Sequence, residues 1–150
     1  MNPLIEDYLR TSGVRYFRGH HDNEYFFLVD FLAGAHRGRL NVHLEVCGAA
    51  LDVVSVSIAP DRYYPADKRE RFAALAARWN AGAVVEAVVH DSCDPRLIGV
   101  LARSLHRPTD LADLTDFVEG VVASAIELFG GMSAAAAPSQ AASDALRDAG

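Results

Sequence analysis

The sequence predicts an α+β fold in the order α-β-β-β-α-β-β-α, with an antiparallel sheet packed against helices. Three observations carry that reading. Leu40, Val42, Leu44 and Val46 alternate strictly with Asn41, His43, Glu45 and Cys47, the period of a half-buried strand. After a short turn, Val54, Val56 and Ile58 alternate with Ser55 and Ser57 in the same way. Phe72, Leu75, Ala76 and Trp79 then recur at helical spacing.

The first element is a short helix. Asn2 can cap it, Pro3 suits its first position, and Gly13 can close it in a left-handed conformation. Leu4, Ile5, Tyr8 and Leu9 share one face of it. Residues 14–18 read as extended and lead into a polar loop over 19–23. Residues 24–32 are dense in aromatic and branched side chains, which favours a strand. A turn over 34–38 precedes the alternating strand 40–47, and a turn at Gly48 precedes the strand 51–59. Short turns make these three strands an antiparallel meander with one buried face.

Residues 60–65, bounded by prolines, break the sheet. The helix over 66–80 follows and ends at Asn80 and Gly82. Burial of the Trp79 ring in its apolar stripe would make Trp79→Ala cost on the order of 3–5 kcal/mol. Residues 84–90 alternate again. The segment 96–105 reads as helix or strand; Gly99 and the preceding strand's need for a hairpin partner favour strand. Pro108 opens the last helix, capped by Thr109 or Asp110, and Gly130 and Gly131 stop it. The Ala/Ser-rich remainder has almost no large apolar side chain and is expected to be disordered. The expected organisation is one α+β domain over 1–132 and a tail over 133–150.

Composition narrows the function. A chain of 150 residues can bury a core without metal or disulfide staples. Its net charge of −6 and the lack of any basic run argue against nucleic acid, whose binding is driven by neutralising phosphates. The start of the chain shows no export signal, and no apolar run approaches the ~18 residues of a membrane span. Cys47 and Cys93 are too few for a disulfide framework and suit a reduced, cytoplasmic setting. Thirteen Arg against the single Lys68 fit a GC-rich bacterial coding sequence.

Residues able to carry chemistry are scattered. His20, His21 and Asp22 are neighbours, but neighbours in an extended segment point apart, and no spaced further ligand follows. His36 lies in a turn and His106 at a strand end, each without a companion. Ser55 and Ser57 lack a nucleophile-elbow context, and no glycine-rich phosphate motif occurs. Cys47 and Cys93 lack a visible partner base. Glu6 with Asp7, and Asp110 with Asp113, read as helix-start charges. No catalytic residue, metal ligand or cofactor is therefore expected. If the apolar strand faces meet the helices, the other face displays His43, Glu45, Ser55, Ser57, Glu86 and His90. A solvated outer face accounts for this, and so does a docking surface for a partner segment. Tyr63 and Tyr64, in the proline-flanked loop, can serve as interface anchors or pack onto the core.

The run RLNVHLEVCGAALDVVSVSIAP, a proline-containing loop and the helix RERFAALAARWNAG together resemble bacterial YbjN-domain proteins. The likeness continues through Asn80, the strands at 83–91 and 97–105 and the last helix. It covers residues 3–132 and rests on pattern and order. That family is similar in fold to type III secretion chaperones. The resemblance implies a non-catalytic domain, often dimeric, that binds or escorts another protein; some members are described as sensory transduction regulators. It brings no catalytic motif, and the Ala/Ser tail and the His20–His21 loop depart from its pattern.

The expected function is a non-enzymatic, cytoplasmic protein-binding module, homodimeric, with another protein as partner and no nucleic acid or membrane. Its candidate partner-binding residues are His43, Glu45, Glu86, His90, Tyr63 and Tyr64. The alternatives are a regulatory domain that senses a small ligand and an enzyme that uses the histidines.

Overall fold

Three helices cover one face of a seven-stranded antiparallel sheet in the computed structural model, which describes residues 1–33 and 36–136. The elements run α1 (Asn2–Thr11), β1 (Tyr16–Arg18), β2 (Glu24–Ala33), β3 (His36–Cys47), β4 (Val53–Pro60), β5 (Tyr64–Pro65), a 3-10 turn (Ala66–Lys68), α2 (Arg69–Gly82), β6 (Glu86–Asp91), β7 (Leu97–His106) and α3 (Leu111–Ala136). The meander β1-β2-β3-β4 joins the β6–β7 hairpin because β7 pairs with β4, Ile58 opposite Ala102 and Val54 opposite His106. Every pairing is antiparallel.

The alternation sorts the side chains as expected. Tyr25 and Phe27 of β2, Leu40, Val42, Leu44 and Val46 of β3, and Val54, Val56 and Ile58 of β4 are buried, with Val100 and Ala102 of β7. Ile5, Tyr8 and Leu9 of α1 and Leu114, Val118, Val121 and Ala125 of α3 complete the core from above. Among the described residues α3 is long and apolar enough to cross a membrane by length and composition. Here it is a core helix, with one stripe buried and Asp116, Glu119 and Glu127 turned away from that stripe. Its start is a reciprocal cap: Asp113 N–H donates to Asp110 Oδ1 at 2.8 Å, and Thr109 N–H donates to Asp113 Oδ2 at 2.9 Å.

Several expectations change. Met1, not Asn2, is the α1 cap; the Asn2 amide reaches across to Asp22 O at 3.0 Å and ties down the 19–23 loop. Gly13 closes α1 at φ +69° as expected. His36 and Gly38 lie in β3 rather than a turn, and the Phe31 ring covers Gly38 where a Cβ would fall 2.6 Å from it. The turn at Gly48 extends to Leu51, which takes a positive φ of 51°, so β4 starts at Val53. Residues 60–65 do not wholly leave the sheet, since Tyr64 and Pro65 pair with Ile98 and Leu97.

Gly130 and Gly131 do not stop α3, which runs on to Ala136. Each glycine costs roughly 1 kcal/mol of helix propensity. Burial of Phe129, Met132 and Ala135 opposes that cost, as does the bond from Lys68 Nζ to Ala136 O at 2.9 Å. Residues 133–136, assigned to the tail by sequence, are therefore helix; residues 137–150 lie outside the described residues. Trp79 is only half-buried, its indole Nε1–H donating to Val85 O at 2.8 Å, while Phe72 and Ala76 are the buried part of the α2 stripe.

Candidate functional site: the open face of the sheet

All three helices lie on one side of the sheet, so the other side has no helical cover among the described residues. The strand registers define its composition. Phe17, Phe26, His43, Ser57, Arg103 and Glu86 form one row across six strands. Neighbouring rows add Glu24, Glu45, Ser55 and Leu105 on one side and Leu28 and Asn41 on the other.

A solvated sheet face is expected to be polar. This one is not. Phe17, Phe26, Leu28, Leu32 and Leu105 are between 40% and 66% exposed, and all five point to this side by register. Val84, just before β6, lines a shallow hollow of about 430 Å³ with Leu105, Ser55, Glu86 and Arg103. In that hollow Arg103 grips Glu86 with two hydrogen bonds of 3.0 and 3.2 Å. The Arg103 guanidinium holds the Glu86 carboxyl below the usual range. At the other end, Phe26 stacks on the His43 ring with centroids 4.6 Å apart, and His43 faces Glu24 and Glu45.

The two long edges of the sheet differ. Along β6, the Asn80 amide donates to Ala87 O at 3.0 Å and accepts from Ala87 N–H at 2.7 Å, imitating a neighbouring strand. With the Trp79 bond to Val85, this occupies the β6 edge with side chains of α2. On the far side, β1 pairs with Tyr25, Phe26 and Phe27, and no described strand lies beside residues 28–33 of β2.

His43, Glu45, Glu86 and His90 all lie on the open face; the His90 ring lies over Gly99, where any Cβ would run into it. Tyr63 is exposed in the loop before β5. Tyr64 is corrected: it is fully buried, 4.8 Å from Phe72 between ring centroids, and cannot anchor a partner. β7, α2 and α3 enclose it, with its hydroxyl 3.4 Å from Ser133 Oγ. Phe17, Phe26, Leu28 and Leu105 were missed because an exposed strand face was assumed to be its polar set. The period-two pattern of 24–32, apolar on both faces, was the available signal. His20, His21 and Asp22 are exposed and form no cluster, while His106 Nε2 donates to Asp113 Oδ2 at 2.9 Å.

No protein-family model matches the chain, and no curated protein matches it in sequence. The crystal structure of "YbjN, a putative transcription regulator from E. coli" matches it over 88% of this chain and 90% of that one, with a TM-score of 0.61 and 12% identity. This chain has the YbjN fold. At that identity the likeness is one of architecture: an α+β unit in which an antiparallel sheet carries its helices on one side. A YbjN-like fold by itself assigns no residue a role.

Proposed function

We propose that this chain is a non-enzymatic protein-binding module that engages another protein through the open face of its sheet. The observation that carries the reading is the set of exposed apolar side chains on that face, Phe17, Phe26, Leu28, Leu32 and Leu105, interleaved with Glu24, Glu45, Glu86 and Arg103. Exposed apolar surface rimmed by charge is the usual composition of a protein-interaction site. The unpaired outer edge of β2 at residues 28–33 adds backbone donors and acceptors to which a partner strand can bond. The fold similarity to YbjN, described as "a putative transcription regulator", fits a regulatory role exercised through a protein, since a net charge of −6 opposes direct contact with DNA. Self-association into a homodimer through the same face is part of this reading.

The experiment is retrieval of the tagged chain's partners from its host, run beside the double variant Phe26→Ser/Leu105→Ser. A stoichiometric partner lost from the variant supports the reading. A partner retained by the variant, or a chain that sediments as a monomer and retains nothing, overturns it.

A second reading, a regulatory domain that senses a small ligand, draws on a groove of about 310 Å³ between α1, β2 and α3. Tyr8, Val29, Val122 and Ile126 line it, with Glu119 at its polar side. Burial, then the neighbouring Glu119 charge, raises the Tyr8 hydroxyl, partly opposed by a hydrogen bond with Ser12. A ligand of that groove raises the melting temperature of the native chain, and Val122→Trp, which fills the groove, removes the effect.

A further inference from the structure

Glu24, His43 and Glu45 meet on the open face although nothing in their spacing along the chain suggests it. Glu24 of β2 stands directly opposite Glu45 of β3, and His43, two residues before Glu45, points to the same side. One ligand atom from each residue lies within 4.8 Å of the others. Like charges placed opposite one another across a strand pair destabilise it, so the two carboxylates call for a cation. Among the described residues no Lys or Arg forms an ion pair with either of them.

The imidazole is oriented toward that need. His43 Nε2 has no accessible surface and no hydrogen-bond partner, and it lies 3.7 Å from Glu24 Oε1. That separation is too long for a hydrogen bond. It is close to the spacing of about 3.3 Å that two ligands of a tetrahedral zinc take at bond lengths near 2.0–2.1 Å. The side chains of His43 and Glu24 are 26% and 18% exposed, so the donors are shielded without being sealed.

The surroundings hold the donors in place. Phe26 stacks on the imidazole at an interplanar angle of 21°. The backbone of Gly19 lies against Glu24: a Cβ there would fall 2.7 Å from Glu24 Cβ, 2.9 Å from the Phe26 ring, and closer still to the carboxylate. Gly19 N–H also donates to Glu24 O at 3.0 Å. The loop from β1 to β2 therefore closes one wall of the cluster, and only a residue without a side chain permits that approach.

From this geometry we infer that Glu24, His43 and Glu45 form a binding site for a divalent transition-metal ion, with zinc the best match. One imidazole nitrogen and two carboxylates are a zinc-competent donor set, and three protein ligands leave a position for water or for a donor from outside the chain. The inference is independent of the protein-binding reading, and either can fail alone.

The test uses the whole chain carrying Cys47→Ser and Cys93→Ser, so that no thiol competes. It is dialysed against zinc chloride at about 10 µM and analysed for metal, with calorimetric titration of zinc beside it. One zinc per chain and a raised melting temperature are expected. Glu24→Gln and Glu45→Gln keep the shape of each side chain, and each is expected to weaken zinc at least about tenfold. In metal-free buffer these two variants are expected to melt at or above the parent temperature, because they remove a repulsion; a purely structural role for the carboxylates gives the opposite. His43→Ala is expected to abolish binding, and His20→Ala/His21→Ala to leave it unchanged. No zinc retained at roughly 100 µM, unaltered affinity in both Gln variants, or loss of binding only in the His20/His21 variant overturns the inference.

Discussion

The two faces of the sheet are built by the same strands yet hold opposite kinds of surface. The covered face is apolar: Phe27, Val42, Ile58 and Ala102 sit in register and are buried beneath α1 and α3. The open face mixes Phe26, His43, Ser57, Arg103 and Glu86 in one row, none of them fully buried. The difference teaches where selection for stability ends. A core needs only apolar volume of the right shape. A face that carries aromatic rings, charges and an unpartnered imidazole, with no helix over it among the described residues, suits the contact with another protein proposed above.

The contrast can be broken most forcefully from the covered side. Phe72 is fully buried against Tyr64, so Phe72→Ala is expected to cost about 3–5 kcal/mol in denaturant unfolding. Phe26→Ala, on the open face, is expected to cost less than about 1 kcal/mol, because much of that ring is in water already. Equal losses from the two would show that the faces do not differ in kind. Trp79→Ala, expected from sequence to rank among the costliest changes, falls between them, since the ring is half-buried.

The edges sharpen the comparison at an intermediate scale. Asn80→Ala strips the β6 edge of its side-chain partner and leaves the N–H and C=O of Ala87 unpaired. A loss of about 1–3 kcal/mol is expected, with faster amide exchange confined to β6. Unchanged exchange at Ala87 would mean that the cap does not protect the edge. The double change Phe26→Ser/Leu105→Ser is a smaller perturbation of folding, on the order of 1 kcal/mol, and should instead lower apolar-dye binding and partner retrieval.

The smallest expected effect lies at the start of α3, the helix that covers the core. The Thr109 N–H, then His106, hold the Asp113 carboxyl below its usual range. A carboxyl whose folded pKa is depressed adds stability that is complete above its unfolded value of about 3.9 and is lost as pH falls through the lower folded value. Asp113→Ala should therefore lower the melting temperature at neutral pH and flatten its fall below about pH 4. A parallel downward shift at every pH would mean that the cap acts without its charge.

Much of the architecture was legible in the sequence because short-range patterns encode it. Period-two alternation gave β3, β4 and β6, and helical spacing gave the buried sides of α1 and α3, since each needs only one apolar direction. The end of α3 was misread at Gly130 and Gly131 because propensity is local, whereas Ala135 in the core and Lys68 at Ala136 act from elsewhere in the chain. Of the site, His43, Glu45, Glu86 and His90 were placed on the correct face by alternation alone. Glu24 does not stand out in the sequence, because its meaning depends on standing opposite Glu45, a register that only the pairing of β2 with β3 fixes. Tyr64 was misassigned for a related reason: the aromatic pair reads alike in sequence, and only pairing with Ile98 turns one ring into the core and leaves Tyr63 outside.

The sequence by itself determined which elements form and which way each strand divides its side chains, because those depend on spacing between near neighbours. The tertiary structure alone decided that β7 joins β4 to make one sheet, that all helices gather on one side, and that Glu24, His43 and Glu45 become neighbours. These outcomes depend on contacts between distant segments, whose pairing is chosen by the burial of the whole core rather than by any local preference.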